Sequence, residues 1–153
     1  MSKPPFMPTT ARSLPIALLR ARERVMGPFR AMLADVDITE QQWRVLRVLH
    51  EEDSLDPTRI ADRACLLLPS LTRILQKLTE KGLITRAPDR VDRRKQVIAI
   101  TEAGVTLIEE NLATSVEIME RIKSEMGHDR YEALLDLLNE LDAADVRSGE
   151  ADA

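Results

Sequence analysis

Residues 83–104 read LITRAPDRVDRRKQVIAITEAG, and the fold turns on this stretch. Residues 83–87 and 96–100 have the period-two, β-branched character of strands, whereas APDRVDRRK at 87–95 is polar and turn-forming. The reading is a β-hairpin with a long charged tip, a wing. Arg90, Arg93, Arg94 and Lys95 crowd that tip beside the carboxylates of Asp89 and Asp92. An arginine on a narrow tip can enter the minor groove of duplex DNA, where negative potential favours it. Asp92 is expected to brace Arg94 by a charge-assisted hydrogen bond and hold it extended. A merely soluble hairpin would explain charge at the tip, but not four cations.

Upstream the periodicity is 3.6. Asp56-Pro57 is a helix start, with Asp as N-cap and Pro at the first helical position. The short helix PTRIADRA turns Ile60, Ala61 and Ala64 inward. A brief linker, Cys65-Leu66-Leu67-Leu68, leads to PSLTRILQKLTEKG, opened by Pro69 and stopped by Gly82. Leu68 stands where a capping Ser or Asp is usual. Leu71, Ile74, Leu75 and Leu78 form the inner face of this helix. Ser70, Thr72, Arg73, Gln76 and Lys77 therefore face outward, with Lys81 at the end. Two short helices joined tightly, the second basic, make a helix-turn-helix. Arg suits guanine O6/N7, Gln suits adenine, and Ser or Thr meets phosphate or a base edge. A solvated face is the plain alternative for any one of these side chains.

Further out, SLPIALLRARERVMGPFRAMLADV repeats apolar residues at helical spacing: Leu14, Leu18, Ala21, Val25, Phe29 and Met32. Ser13 is its N-cap with Pro15 in the first turn, and Pro28 is expected to kink or divide it. Asp35–Ile38 breaks the run. Thr39 and Gln42 form a capping box for TEQQWRVLRVLHEE. Val45, Leu46 and Leu49 supply its core face, with the stripe Trp43, Arg47, His50 alongside. Asp53–Leu55 reads as a plain connector. After the wing, Thr101-Glu102 opens a long helix with Val105, Ile108, Leu112, Val116, Met119, Ile122 and Met126 as its apolar stripe. Gly127 ends it, and Asp129 starts a last helix carrying Tyr131, Leu134, Leu135, Leu138 and Leu141. The tail RSGEADA is expected to fray.

The outer helices hold more apolar surface than a small central motif can cover. Pairing of N- and C-terminal helices across a two-fold axis solves this; a monomer folding its ends back is the alternative. The predicted fold is mainly α with a small β-hairpin wing, a winged helix-turn-helix within one domain over 1–153. Its lobe for DNA covers about 39–101, and its dimerisation helices about 13–36 and 102–146.

With 153 residues, 44% hydrophobic and 31% charged, the chain can bury a core without disulfides or metal. The net charge of −4 at first argues against nucleic acid. It is unevenly spread. Residues 59–95 hold 10 Lys/Arg against 4 Asp/Glu, net +6, while residues 96–153 hold 4 against 14, net −10. Screening confines a basic face's field to roughly 8–10 Å, so such a face binds phosphate whatever the total charge.

Other chemistries find little footing. There is no Gly-rich phosphate loop, no nucleophile with a His partner and no metal spacing, so an enzyme, a cofactor and a metal site are not expected. Cys65, the only cysteine, reads as a small buried hydrophobe among leucines. With no apolar leader or membrane-length run, a cytoplasmic location is expected, away from membranes. A winged-helix adaptor that docks another protein without specific DNA binding is the competing class; the cationic tip speaks against it.

The element order, the wing Asp92-Arg93-Arg94 and the run at 83–104 resemble the MarR family of bacterial transcriptional regulators, over about residues 13–145. The Asp-x-Arg wing followed by a strand and Thr-x-x-Gly is specific in this context. More narrowly, SLPIALLRARERVM, ITEQQWRVLRVL and LLLPSLTRIL resemble the branch that represses homoprotocatechuate (4-hydroxyphenylacetate) degradation genes. The resemblance implies a homodimer with two winged lobes on a pseudo-palindromic operator. It also implies a small aromatic acid or phenol as effector, which favours a lobe spacing that fits DNA poorly and so releases the repressor. The candidate effector residues are Ser13, Met26, Trp43 and Arg44. Trp43 would stack on an aromatic ring and Arg44 would neutralise a carboxylate; core packing and a surface salt bridge are their alternative roles. Family members that sense organic peroxides use a reactive Cys in the first helix, and this chain has none there.

Overall fold

The fold is described from a computed structural model, which describes residues 5–146. The tail expected to fray, 147–153, lies outside the described residues. A short 3-10 turn at Thr10–Arg12 precedes α1 (Leu14–Ala34) and α2 (Glu40–Glu52). Then come β1 (Ser54–Leu55), α3 (Pro57–Arg63), α4 (Leu68–Glu80), β2 (Ile84–Pro88) and β3 (Gln96–Ile100), followed by α5 (Glu102–Met126) and α6 (His128–Ala143). Contacts divide the chain after Val116 into two compact units, so the boundary falls within α5.

In the first unit, the hairpin forms as the alternation requires. Strand β2 pairs antiparallel with β3, from Ile84 opposite Ile100 to Pro88 opposite Gln96. The connector at 53–55 differs from its reading: Ser54 and Leu55 pair with Ala99 and Ile98, giving a three-stranded sheet in the order β1-β3-β2. Two residues are too few to show a period, but the pairing covers the outer edge of β3. It also seats Leu55 in the core.

The helices α2, α3 and α4 close over this sheet. Val45, Leu46 and Leu49 of α2, Ile60 of α3 and Leu71, Leu75 and Leu78 of α4 are fully buried, with Ile98 of β3 and Ile108 of α5. Each such side chain contributes about 1.5–3 kcal/mol relative to exposure. Ile74, expected inside, is only half-buried. The capping box is present: Thr39 Oγ1 accepts from Gln42 N at 3.1 Å, and Gln42 Oε1 accepts from Thr39 N at 3.1 Å. Asp56 caps α3 by accepting from Arg59 N at 2.9 Å.

Several local expectations are corrected. Helix α1 runs unbroken through Pro28. The residue removes one i→i−4 bond, and the Arg24 turn that loses it is exposed, where water can serve the freed carbonyl. Helix α4 begins one residue early, so Leu67 is the N-cap and Leu68 the first helical residue, with Pro69 still in the tolerant first turn. Cys65 is exposed, not buried. It sits just past α3 with φ 53°, and the inward positions there belong to Ala61 and Ala64. Helix α6 begins at His128, immediately after Gly127 with φ 86°.

The Thr-x-x-Gly element has a mechanical reason. Thr101 Oγ1 donates to Gly82 O at 2.7 Å and accepts from Gly104 N at 3.1 Å, tying the start of α5 to the end of α4. A Cβ on Gly104 would lie 2.4 Å from Leu83 O and 2.6 Å from Ile100 Cγ1. The junction between wing and α5 therefore needs glycine there.

In the second unit, Lys123 Nζ stands 3.9 Å from Glu132 and 5.8 Å from the Tyr131 ring centroid. No described residue of α6 is buried, and Leu134, Leu135, Leu138 and Leu141 are 36–40% exposed.

Candidate nucleic-acid interface

Helix α4 owes its orientation to its own leucines. With Leu71, Leu75 and Leu78 buried, Ser70, Thr72, Arg73, Gln76 and Lys77 all lie exposed on the other side. Gln76 donates to Glu80 at 3.4 Å, and Lys77 lies 3.7 Å from the same carboxylate. Such exposed contacts are worth under about 1 kcal/mol and are easily exchanged for phosphate. Arg73 has no ion-pair partner among the described residues. Lys81 is committed elsewhere: its ammonium donates to Asp37 O and to Gln42 Oε1, anchoring the end of α4 to the turn before α2. Arg63 is committed too, at 2.9 Å from Glu51 and 2.8 Å from Glu52.

The wing tip is built by its two aspartates. Asp89 Oδ1 accepts from Val91 N at 2.7 Å and from Asp92 N at 3.1 Å. These amide bonds, Val91's first, hold the Asp89 carboxyl below its ordinary range despite slight burial; Lys95 adds to the effect. Asp92 Oδ1 accepts from the backbone N of Arg94 at 3.1 Å. The predicted brace therefore acts on Arg94's main chain, and no Asp92–Arg94 side-chain pair is present. Backbone bonds from Asp89 N to Lys95 O (2.9 Å) and from Lys95 N to Asp92 O (3.0 Å) close the tip. Arg90, Arg93 and Arg94 are exposed and have no ion-pair partner among the described residues. One oxygen of each carboxylate is engaged by amides and neither carboxylate pairs with these guanidinium groups, which can therefore meet an anion.

A cleft of about 520 Å³ lies between the start of α3 and the wing, lined by Thr58, Arg59, Leu68, Arg94, Lys95 and Gln96. Sequence reading missed Thr58, Arg59 and Gln96 as parts of this surface. They lie in different segments, and only the fold brings them together.

The four candidate effector residues fall on different surfaces. Ser13 flanks α1, Met26 lies within it, and both are half-buried. Trp43, also half-buried, shares its face of α2 with Arg47 and His50; the His50 imidazole lies 3.8 Å from Glu109 on α5. Arg44, next in sequence, points about 100° away, since adjacent helical residues do not share a face. It donates from Nη1 to Cys65 O at 3.3 Å and lines a cleft of about 540 Å³ with Ser70, Arg73, Ile74 and Lys77 of α4. Its Nε is buried without a hydrogen-bond partner. The guanidinium on Trp43's own face is that of Arg47, whose acidic neighbour is Glu51 at 3.6 Å.

A further cluster joins α1 to α2. Glu40 lies between Arg22, at 2.6 Å, and Arg30, which also donates twice to Glu23 at 2.8 Å. Burial raises the Glu40 pKa, but the hydrogen bonds from Arg22 and Arg30 outweigh it and hold the carboxyl below its ordinary value. For Glu23 the Arg30 hydrogen bonds act in the same downward direction.

With this geometry in hand, the chain compares clearly with known proteins. The MarR family profile matches residues 38–95. The HTH-type transcriptional regulator FarR of Neisseria gonorrhoeae is 39% identical over 137 residues, covering 88% of this chain and 94% of that protein. The homoprotocatechuate degradative operon repressor of Escherichia coli is 39% identical over 128 residues, covering 84% and 86%. Among solved structures, NadR in complex with 4-hydroxyphenylacetate superposes with a TM-score of 0.76 at 39% identity, covering 88% of this chain and 97% of that one.

Proposed function

The chain belongs to the MarR family of transcriptional regulators, and from that premise we propose that it is a ligand-responsive DNA-binding repressor of an aromatic-compound catabolic operon. The observation that carries this reading is the pairing of the α4 face with the wing. Ser70, Thr72, Arg73, Gln76 and Lys77 are exposed on the helix, and Arg90, Arg93 and Arg94, which have no ion-pair partner among the described residues, stand at the tip, shaped by Asp92 and Asp89. In this reading α4 enters the major groove of duplex DNA, and Arg94 leads the wing into the adjacent minor groove.

The acting form is a homodimer on a pseudo-palindromic operator. The apolar faces of α1 and α6 support it, because Leu14, Leu18, Leu134, Leu135, Leu138 and Leu141 are all exposed in the single chain. One MarR-type domain then spans 1–153, with the DNA lobe at about 39–101 and dimerisation helices at about 13–36 and 102–146. No described helix is long and apolar enough to cross a membrane. A cytoplasmic location and the absence of enzymatic activity belong to the same proposal.

The effector is a phenolic or aromatic acid. Two relatives support that class: the Escherichia coli protein is by name a homoprotocatechuate degradative operon repressor, and NadR holds 4-hydroxyphenylacetate. Ser13, Met26 and Trp43 are the proposed contacts, with Trp43 offering a ring to stack. Arg44 is proposed as the cation for the carboxylate, reached from the α4 side of α2; Arg47 is the competing cation on the Trp43 face. The test is promoter-DNA binding in the presence of hydroxyphenylacetates, hydroxybenzoates and hydroxycinnamates. Release by one class names the effector, and its loss in Arg44→Ala or Arg47→Ala assigns the cation. Unchanged binding with every compound overturns the aromatic assignment while leaving DNA binding intact.

A further inference from the structure

Helix α4 begins with two departures from ordinary helix chemistry at one place. Its N-cap is Leu67, which makes no side-chain capping bond, where Ser, Thr, Asp or Asn would satisfy an orphan amide. Leu67 is also 76% exposed and the following Leu68 48% exposed, although the inner face of the helix is already filled by Leu71, Leu75 and Leu78. Neither leucine is buried in the core, and at Leu67 the helix also forgoes a side-chain cap. Local rules broken together, without compensation inside the fold, mark a surface shaped by something outside it.

What meets that surface follows from its neighbours. Ser70 and Arg73 continue it along α4, and Leu68 lines the cleft shared with Arg59, Arg94 and Lys95. An exposed apolar pair with cations beside Leu68 does not suit an apolar protein face, and it suits DNA only where DNA is apolar. In the major groove that feature is the C5-methyl group of thymine, and the N-terminal residues of a recognition helix are those that reach base edges. We propose that Leu67 and Leu68 read thymine in each operator half-site by packing on its C5-methyl group. This rests on the DNA-binding reading above and adds a specificity element to it.

Replacing thymine by deoxyuridine tests the idea with the unaltered protein, since it removes the methyl and keeps Watson–Crick pairing. The operator is first located by footprinting the protein's own promoter region. Thymines in each half-site are then replaced singly, and affinity is measured for the wild type, Leu67→Ser and Leu68→Ala. The expected result is a loss of roughly fourfold at one or two positions for the wild type. At those positions the leucine variant should show no further loss, because the contact is already gone. Equal wild-type affinity for every uridine-substituted duplex, with operator preference retained, overturns the methyl contact alone. Absence of any operator preference overturns the DNA-binding reading and this proposal with it.

Discussion

Gly104 illustrates how narrowly single residues are specified. Its missing side chain lets α5 start against Leu83 O and Ile100, where a Cβ would fall within 2.6 Å of both. The atoms in the way include backbone, so Gly104→Ala should destabilise the fold by about 1–3 kcal/mol, read as a lowered urea midpoint. Glu40 makes a second residue-scale prediction. Its pKa is depressed from the ordinary 4.5, so its contribution to stability is present above that value and is lost as pH falls through the folded value. Denaturation of Glu40→Gln against wild type should show a deficit near neutral pH that shrinks as the pH falls below 4.5 and through the lowered folded value. Residue roles were the least legible part of the sequence. Trp43 and Arg44 are adjacent in the chain yet serve different surfaces, and the leucines beside Cys65 suggest burial although its left-handed backbone, φ 53°, leaves it exposed. Asp92 bonds to Arg94 in the wing, but through an amide rather than a guanidinium.

At the scale of elements, the sequence was far more legible. Capping signals placed α2 and α3, buried leucine periodicity placed α4, and the change of period placed the wing. These signals are local and so survive in a single sequence. Strand β1 was missed because its two residues exist only through pairing with β3, a long-range contact. Pro28 does not divide α1 for the converse reason: its local cost is real, yet an exposed turn of a long helix absorbs it. Thr39→Ala removes half the capping box and should cost about 1 kcal/mol in thermal or chemical unfolding. Arg94→Ala leaves the Asp92 bond to its backbone amide possible, so the wing should keep its shape while the salt dependence of DNA binding loses about one unit of slope. An unchanged affinity and slope would instead favour the adaptor reading.

At the scale of the molecule, charge and apolar surface are both polarised. Residues 59–95 carry net +6 and residues 96–153 net −10, which reconciles an acidic chain with a basic reading surface. The leucines left exposed on α6 have no use in an isolated chain. Leu138→Glu should therefore shift the protein toward monomer in sedimentation and weaken operator binding, because a palindromic site rewards two linked lobes. If the wild type sediments as a monomer, the dimer proposal fails at once. The central claim, however, is specific reading of duplex DNA by α4 and the wing. It is tested most directly by titrating the full-length protein against its own promoter region and against random duplex over a range of salt concentrations. Such reading requires tighter binding to the promoter fragment, with affinity falling linearly in the logarithm of salt at a slope of several units. Equal affinity for the two duplexes, or binding indifferent to salt, would contradict it.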